Sequence, residues 1–367
     1  MVHVFAVDGQ AGYNMRVSDL LIGLLGALIS TNPVLATSNL VQRTTGLTLP
    51  VVNPKDPVEM EYKRILEEDD KAQAEVDSWI QDNQKFGEQG AGISDSTLNA
   101  RIDQRLVPVV RSYEDFINHH PDHARIRLAY GSFLTDVGRD QEALVHWERA
   151  RELEPTNAAA WNNLAGYYGH FGPISRCLEY FAKAIELAPR ESVYYHSLGT
   201  MVFLYRKDSK EVFKLEDDQA VFRRALELYE KALQFDPSNF AIATDLAQTY
   251  YYLKPAKTGD AEKDRRAEDA FMEKATSAWN QAQKLAHDDL ERQGVSVHLA
   301  RVNLEHGRFD AARRHLEAVT LPKLKALHDR VERKLNLVAK GEKLENDPDD
   351  PTGVSKAVQK GGGPGSR

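Results

Sequence analysis

Gly131, Ala143, Trp147, Ala150 and Pro155 return 34 residues later as Ala165, Cys177, Phe181, Ala184 and Pro189. The class is kept at every step: small, small, aromatic, small, proline. A fixed period of this length restricts a chain to stacked supersecondary units, because no single unit can bury its apolar face alone. Trp161, Leu164, Ala165 and Tyr168 supply the front of the pattern. Two later copies are stretched. Tyr195, Leu198 and Gly199 open one that Ala225, Tyr229, Ala232 and Pro237 close, with its small pair 26 residues apart where the regular copies have 12. Leu246, Ala247 and Tyr250 open the next, closed by Ala275, Trp279 and Ala282, with His287 where proline is expected. A degenerate last copy keeps Leu299, Ala300, Gly307, Ala312 and Leu316.

W-x-x-L-A-x-x-Y, followed by A-x3-F and a closing proline, resembles the tetratricopeptide-repeat (TPR) family. The resemblance covers roughly residues 97–320. It implies an all-α fold, a right-handed superhelical solenoid of helix-turn-helix repeats. The units are read as 124–157, 158–191, 192–239, 240–289 and 290–320. Small residues at Gly131, Ala143, Ala165, Cys177, Gly199 and Ala225 then let paired helices approach closely. Trp147, Trp161, Phe181, Tyr195, Tyr229 and Trp279 are expected to fill the space between neighbours. Pro155, Pro189 and Pro237 stop one unit and start the next. Cys177, the single cysteine, sits at a small position and reads as packing.

The ends are read separately. Leu20–Ile29 is an uncharged apolar run of ten residues after Arg16, with Val34 and Ala36 spaced as signal peptidase requires. It is too short to span a bilayer of about 30 Å as a helix. Residues 1–36 are therefore expected to be a secretory signal cleaved near Ala36, starting at Met1 or Met15, with a short buried helix as the other reading. The mature chain would be periplasmic or secreted. Residues 37–57, with Pro50, Pro54 and Pro57, form an extended linker, and 58–123 hold capping helices. The first of these, Val58 to Phe86, is amphipathic and reads either as a cap or as a partner-binding helix. Residues 321–345 are expected to cap the far end, and the Gly- and Pro-rich tail 346–367 to be disordered.

Chemistry is harder to place. A formal charge of -8 without a basic stripe speaks against nucleic acid. The chain contains no H-E-x-x-H, Walker-type loop or nucleophile elbow. His119, His120, Asp122 and His123 straddle a proline turn and read as turn polarity, not as a metal site. No cofactor, metal or catalytic residue is assigned, and an enzyme with an unrecognised site is the remote alternative. The family resemblance implies that ligands lie along the first helix of each unit. Carried over, those positions are Arg125, Leu128 and Ser132, then Asn162, Asn163 and His170, then His196, Thr200 and Phe203, and finally Thr244, Gln248, Tyr251 and Tyr252. Packing beneath the inserted segments is the other reading for the aromatics. The carboxylate clamp of chaperone-binding TPR domains is absent, since Leu128, Ser132, Val193 and Ser197 stand where basic or amide groups are needed. The expected function is a non-catalytic scaffold that holds an extended segment of another polypeptide. The alternative is an accessory subunit of an envelope secretion or outer-membrane assembly, acting through its convex face or the insertions at 206–219 and 254–269. Both insertions read as longer second helices, with a partner contact through Phe213 as the sharper option.

Overall fold

A computed structural model describes residues 56–340, in which every regular element is helical. The expected signal, nearly all of the linker and the C-terminal tail lie outside the described residues. Two compact units divide between Phe235 and Asp236.

The first unit holds α1 (Pro57–Glu88), α2 (Asp95–His119), α3 (Ala124–Asp136), α4 (Asp140–Leu153), α5 (Ala158–Phe171), α6 (Ile174–Leu187), α7 (Ser192–Leu204), α8 (Arg206–Phe213) and α9 (Asp218–Phe235). Each helix starts where its chemistry allows. Asp56 caps α1 by accepting from Val58 N at 2.9 Å, and Pro57 takes a first-turn position where no N–H is needed. His123 Nδ1 and Asn157 Oδ1 cap α3 and α5 in the same way, at 3.1 Å each. These caps serve the first N–H groups that a helix N-terminus leaves without partners.

The small positions pack as their spacing demands. Gly131, Ala143, Ala165, Cys177, Gly199 and Ala225 are all buried, as are Ala150, Ala184 and Ala232. A Cβ on Gly131 would lie inside the indole of Trp147, 2.6 Å from Cδ1, and one on Gly199 would come within 2.9 Å of Tyr229 Cε1. Burial pushes the Cys177 thiol up to about 12, which leaves it inert. In α2, Val109, Tyr113 and Phe116 stand 34 residues before Ala143, Trp147 and Ala150 and are equally buried.

Two of the expected filler residues have a different role. Trp161 and Tyr195 are only half-buried. Trp161 Nε1 donates to the Pro155 carbonyl at 2.8 Å, and Tyr195 Oη to the Pro189 carbonyl at 3.1 Å. Arg127 does the same to Pro121 at 2.8 Å. A donor at this place ties down a turn carbonyl that the proline turn leaves outside the helix ladder.

The first insertion departs from expectation. It forms a separate short helix, α8, which Lys214 ends in a left-handed conformation at φ 55°. Ser209 is buried and donates to the Val202 carbonyl at 3.3 Å, and Lys210 bridges to Asp218 at 2.6 Å. These anchors hold α8 against its neighbours, and Asp217 then restarts the chain by accepting from Ala220 N at 2.7 Å. Phe213 is half-buried.

The second unit holds α10 (Phe240–Thr249), α11 (Ala261–Leu285), α12 (Asp289–Glu305), α13 (Phe309–Glu317) and α14 (Lys325–Ala339). Here the insertion does lengthen the second helix of its pair, and Asp260 caps α11 by accepting from Glu262 N at 3.0 Å. Val297, Ala300, Leu304, Ala312, Leu316, Val331 and Leu335 form a continuous core among the last three helices. No described helix is long and apolar enough to cross a membrane.

Candidate protein-binding faces

The first-helix positions named above fall into two groups, those used for packing inside the chain and those that reach solvent. Arg125 is engaged. Its guanidinium pairs with Glu59 of α1 and lies 5.0 Å from the Tyr62 ring, and its side chain is 17% exposed. Leu128 is fully buried, and its carbonyl accepts from Trp147 Nε1 at 3.2 Å. Asn162 and Asn163 are buried too. Asn163 turns its amide oxygen to Trp147 Nε1 at 3.2 Å and its nitrogen to the Ala159 carbonyl at 3.3 Å. The Leu128 carbonyl and Asn163 thus satisfy the Trp147 N–H inside the repeat, where a buried polar group without a partner costs about 1–3 kcal/mol.

The remaining positions of the first unit form a sparse polar row. Ser132 is half-buried, and its hydroxyl donates to the Leu128 carbonyl at 3.2 Å. Gly166 of α5 has open space above it, since a Cβ there would meet nothing within 4 Å. His170 is exposed beside Phe171. On α7, Thr200 donates to the His196 carbonyl at 3.0 Å and accepts from Tyr229 Oη at 3.3 Å. The His196 ring lies 5.8 Å from Tyr229, and Phe203 packs on Phe222 at 5.4 Å. Phe222 belongs to α9, the helix after the inserted segment.

An acidic group lies at the α1 side of this face. Tyr113 Oη donates to Asp69 Oδ2 at 2.5 Å, while Asp69 Oδ1 is buried without a hydrogen bond. Burial raises the Asp69 carboxyl to about 7, with Asp70 and Asp136 adding like charge.

In the second unit Thr244 is buried and bonds the Ala241 carbonyl at 2.8 Å, while Gln248 and Tyr252 are half-buried. Tyr251 belongs to a ladder of rings. Trp279 and His298 stack in parallel at 4.1 Å, Tyr251 tilts against both at 5.9 Å, and Arg301 covers the Tyr251 ring at 4.3 Å. Burial, then the Arg301 charge, lowers His298 to about 3, and its neutral ring shares a hydrogen bond of 3.2 Å between Nδ1 and Tyr251 Oη. His298, Arg301 and Gly294 of α12 occupy the same register as Gln248, Tyr251 and Thr244 of α10, counted from the starts at 290 and 240. Sequence reasoning stopped at the fourth unit and missed them, although the same count applied to the fifth identifies all three. Gly294, like Gly166, has nothing within 4 Å of a Cβ.

The histidine cluster at the first proline turn is dispersed. His123 serves as a helix cap and Asp122 pairs with Arg149 at 3.2 Å.

No family model matches the chain. Protein IFIT1 homolog B of Homo sapiens is 23% identical over 230 residues, covering 60% of this chain and 45% of that protein. The Hsp70-Hsp90 organizing protein of Triticum aestivum is 23% identical over 154 residues, 41% of this chain and 23% of its own length. The chain thus spans less than half the length of these curated relatives. Among solved structures, YrrB, described as a TPR protein with an unusual peptide-binding site, aligns with a TM-score of 0.46 at 13% identity, over 60% of this chain and 97% of its own. The chain is an all-α helical repeat, and the structures it resembles include TPR proteins such as YrrB.

Proposed function

We propose that the chain is a non-catalytic scaffold whose first-helix faces hold an extended segment of a partner protein. The observation that carries this reading is the pair of glycines at Gly166 and Gly294. Each sits inside a helix, where glycine costs roughly 1 kcal/mol relative to alanine, and neither has a neighbour that a Cβ would strike. Packing inside the chain explains Gly131 and Gly199 but not these two. Open space above first-helix glycines suits close approach of another backbone, with Ser132, Thr200, Gln248 and His298 on the first helices as polar groups to bond it. YrrB is described as having a peptide-binding site, which is consistent with the same use of the fold here.

The test fills the space. Gly166→Leu and Gly294→Leu variants of the mature chain are compared with wild type in affinity capture from the envelope fraction. Loss of the same partner band from both variants, with far-UV circular dichroism unchanged, is the expected result. Equal recovery from all three proteins removes the first-helix faces from the account.

A second reading rests on the α1–α2 connection. Asn83 clamps Ile93 from both sides, accepting from its N–H at 2.8 Å and donating to its carbonyl at 3.2 Å. The tip presents Phe86 and Ile93, 54% and 45% exposed, to solvent. Cross-links that map to the tip and not to the helix faces favour an accessory subunit that docks by its edge. Export through the apolar run at Leu20–Ile29 is part of the same proposal, and N-terminal sequencing of the native protein decides it: a start near Thr37 supports export, and an intact Met1 or Met15 removes it.

A further inference from the structure

We propose that α14 carries a transition-metal site, with His328, Asp329 and Glu332 as protein ligands and zinc as the ion that fits them. The three donor groups lie within 4.8 Å of one another, a grouping that no other described set of three or more such residues achieves. Their spacing follows from the helix. Positions i and i+4 share one face, so His328 and Glu332 point the same way, and Asp329 flanks them. His328 Nδ1 and Asp329 Oδ1 are 3.1 Å apart. Tetrahedral zinc with bonds of about 2.0–2.2 Å asks for neighbouring donors roughly 3.3 Å apart. That pair is nearly in place, and Glu332 reaches the ion by rotation of an exposed side chain.

Lys325 Nζ lies 2.9 Å from Asp329 Oδ2. The ammonium neutralises part of the charge that a cation would otherwise use, so Lys325 competes with the metal. One imidazole with two carboxylates is a borderline donor set, which favours zinc over magnesium or calcium. Three protein ligands leave the fourth tetrahedral position for water. Because all three ligands come from one helix, the ion clips a single turn. That turn matters to the second unit, since Val331 and Leu335 of the same helix close its core.

The experiment titrates the full chain with zinc chloride by isothermal calorimetry. Wild type is expected to bind one zinc with micromolar affinity, and His328→Ala and Glu332→Gln to weaken it by at least about tenfold, the loss typical when a metal's shell is broken. Lys325→Met keeps all three ligands and is expected to bind zinc more tightly than wild type. Zinc is also expected to raise the thermal midpoint of wild type and of Lys325→Met, but not of His328→Ala. Equal binding by wild type, His328→Ala and Glu332→Gln overturns the proposal. So does a wild-type chain with no saturable zinc binding below millimolar concentration, or one that takes magnesium as tightly.

Discussion

Adding one methyl group at Gly131 and the same group at Gly166 should shift stability in opposite directions. Both residues lie inside first helices, α3 and α5. At Gly131 the new Cβ falls 2.6 Å from Cδ1 and 2.8 Å from Cε2 of Trp147. That ring cannot retreat without cost, because it is buried and its Nε1 is bonded to the Leu128 carbonyl. Overpacking costs about 1–3 kcal/mol, and three atoms of a held ring within 2.8 Å place this case in the upper half, about 2–3 kcal/mol; the helix preference of alanine over glycine returns about 1 kcal/mol. The net expectation for Gly131→Ala is a loss of roughly 1–2 kcal/mol. At Gly166 nothing is struck, so Gly166→Ala keeps the propensity gain of up to about 1 kcal/mol. The two variants should therefore differ by about 2–3 kcal/mol. Urea unfolding followed by far-UV circular dichroism measures this as a change in midpoint at constant slope. The first unit's transition is fitted separately, since repeat arrays need not unfold in one step. A Gly131→Ala variant as stable as wild type, or a Gly166→Ala variant destabilised as much as Gly131→Ala, would refute the close-packing argument for the small positions.

Other substitutions test separate contacts. Asp69 has a folded value of about 7, above the ordinary carboxylate range, so the native state holds its proton more tightly than the unfolded chain does. The stability this contributes is present in acid and lost as pH rises from about 4 towards 7. The first unit should thus melt lower at pH 8 than at pH 5.5, and Asp69→Asn should flatten that dependence and raise the midpoint at pH 8. Trp161→Phe breaks a bond to an exposed turn carbonyl and should cost under about 1 kcal/mol, whereas Trp147→Phe strands buried acceptors at Leu128 and Asn163 and should cost about 1–3 kcal/mol in the same urea assay. Lys214 is the one non-glycine residue with positive φ among those described, so Lys214→Gly should stabilise the first unit by about 0.5–1 kcal/mol, read as a higher thermal midpoint.

What the sequence determined by itself is the periodic part of the protein. Ala143, Cys177, Ala150, Ala184 and Ala232 are buried as their spacing requires, and all regular structure among the described residues is helical. Burial of a small side chain against the next helix depends on short, repeated separations, and such separations leave a period that can be read from one chain. Pairings between particular side chains of different helices leave none. Tertiary structure alone decided that Glu59 engages Arg125, that Asp69 meets Tyr113, and that Leu128 and Asn163 face the core instead of a ligand. It also decided how two insertions of similar length ended. The one after α7 broke at a left-handed Lys214, while the one after α10 ran into a longer α11 capped by Asp260. Glu59 and Arg125 lie 66 residues apart and Asp69 and Tyr113 lie 44 apart, so no local pattern announces their pairing.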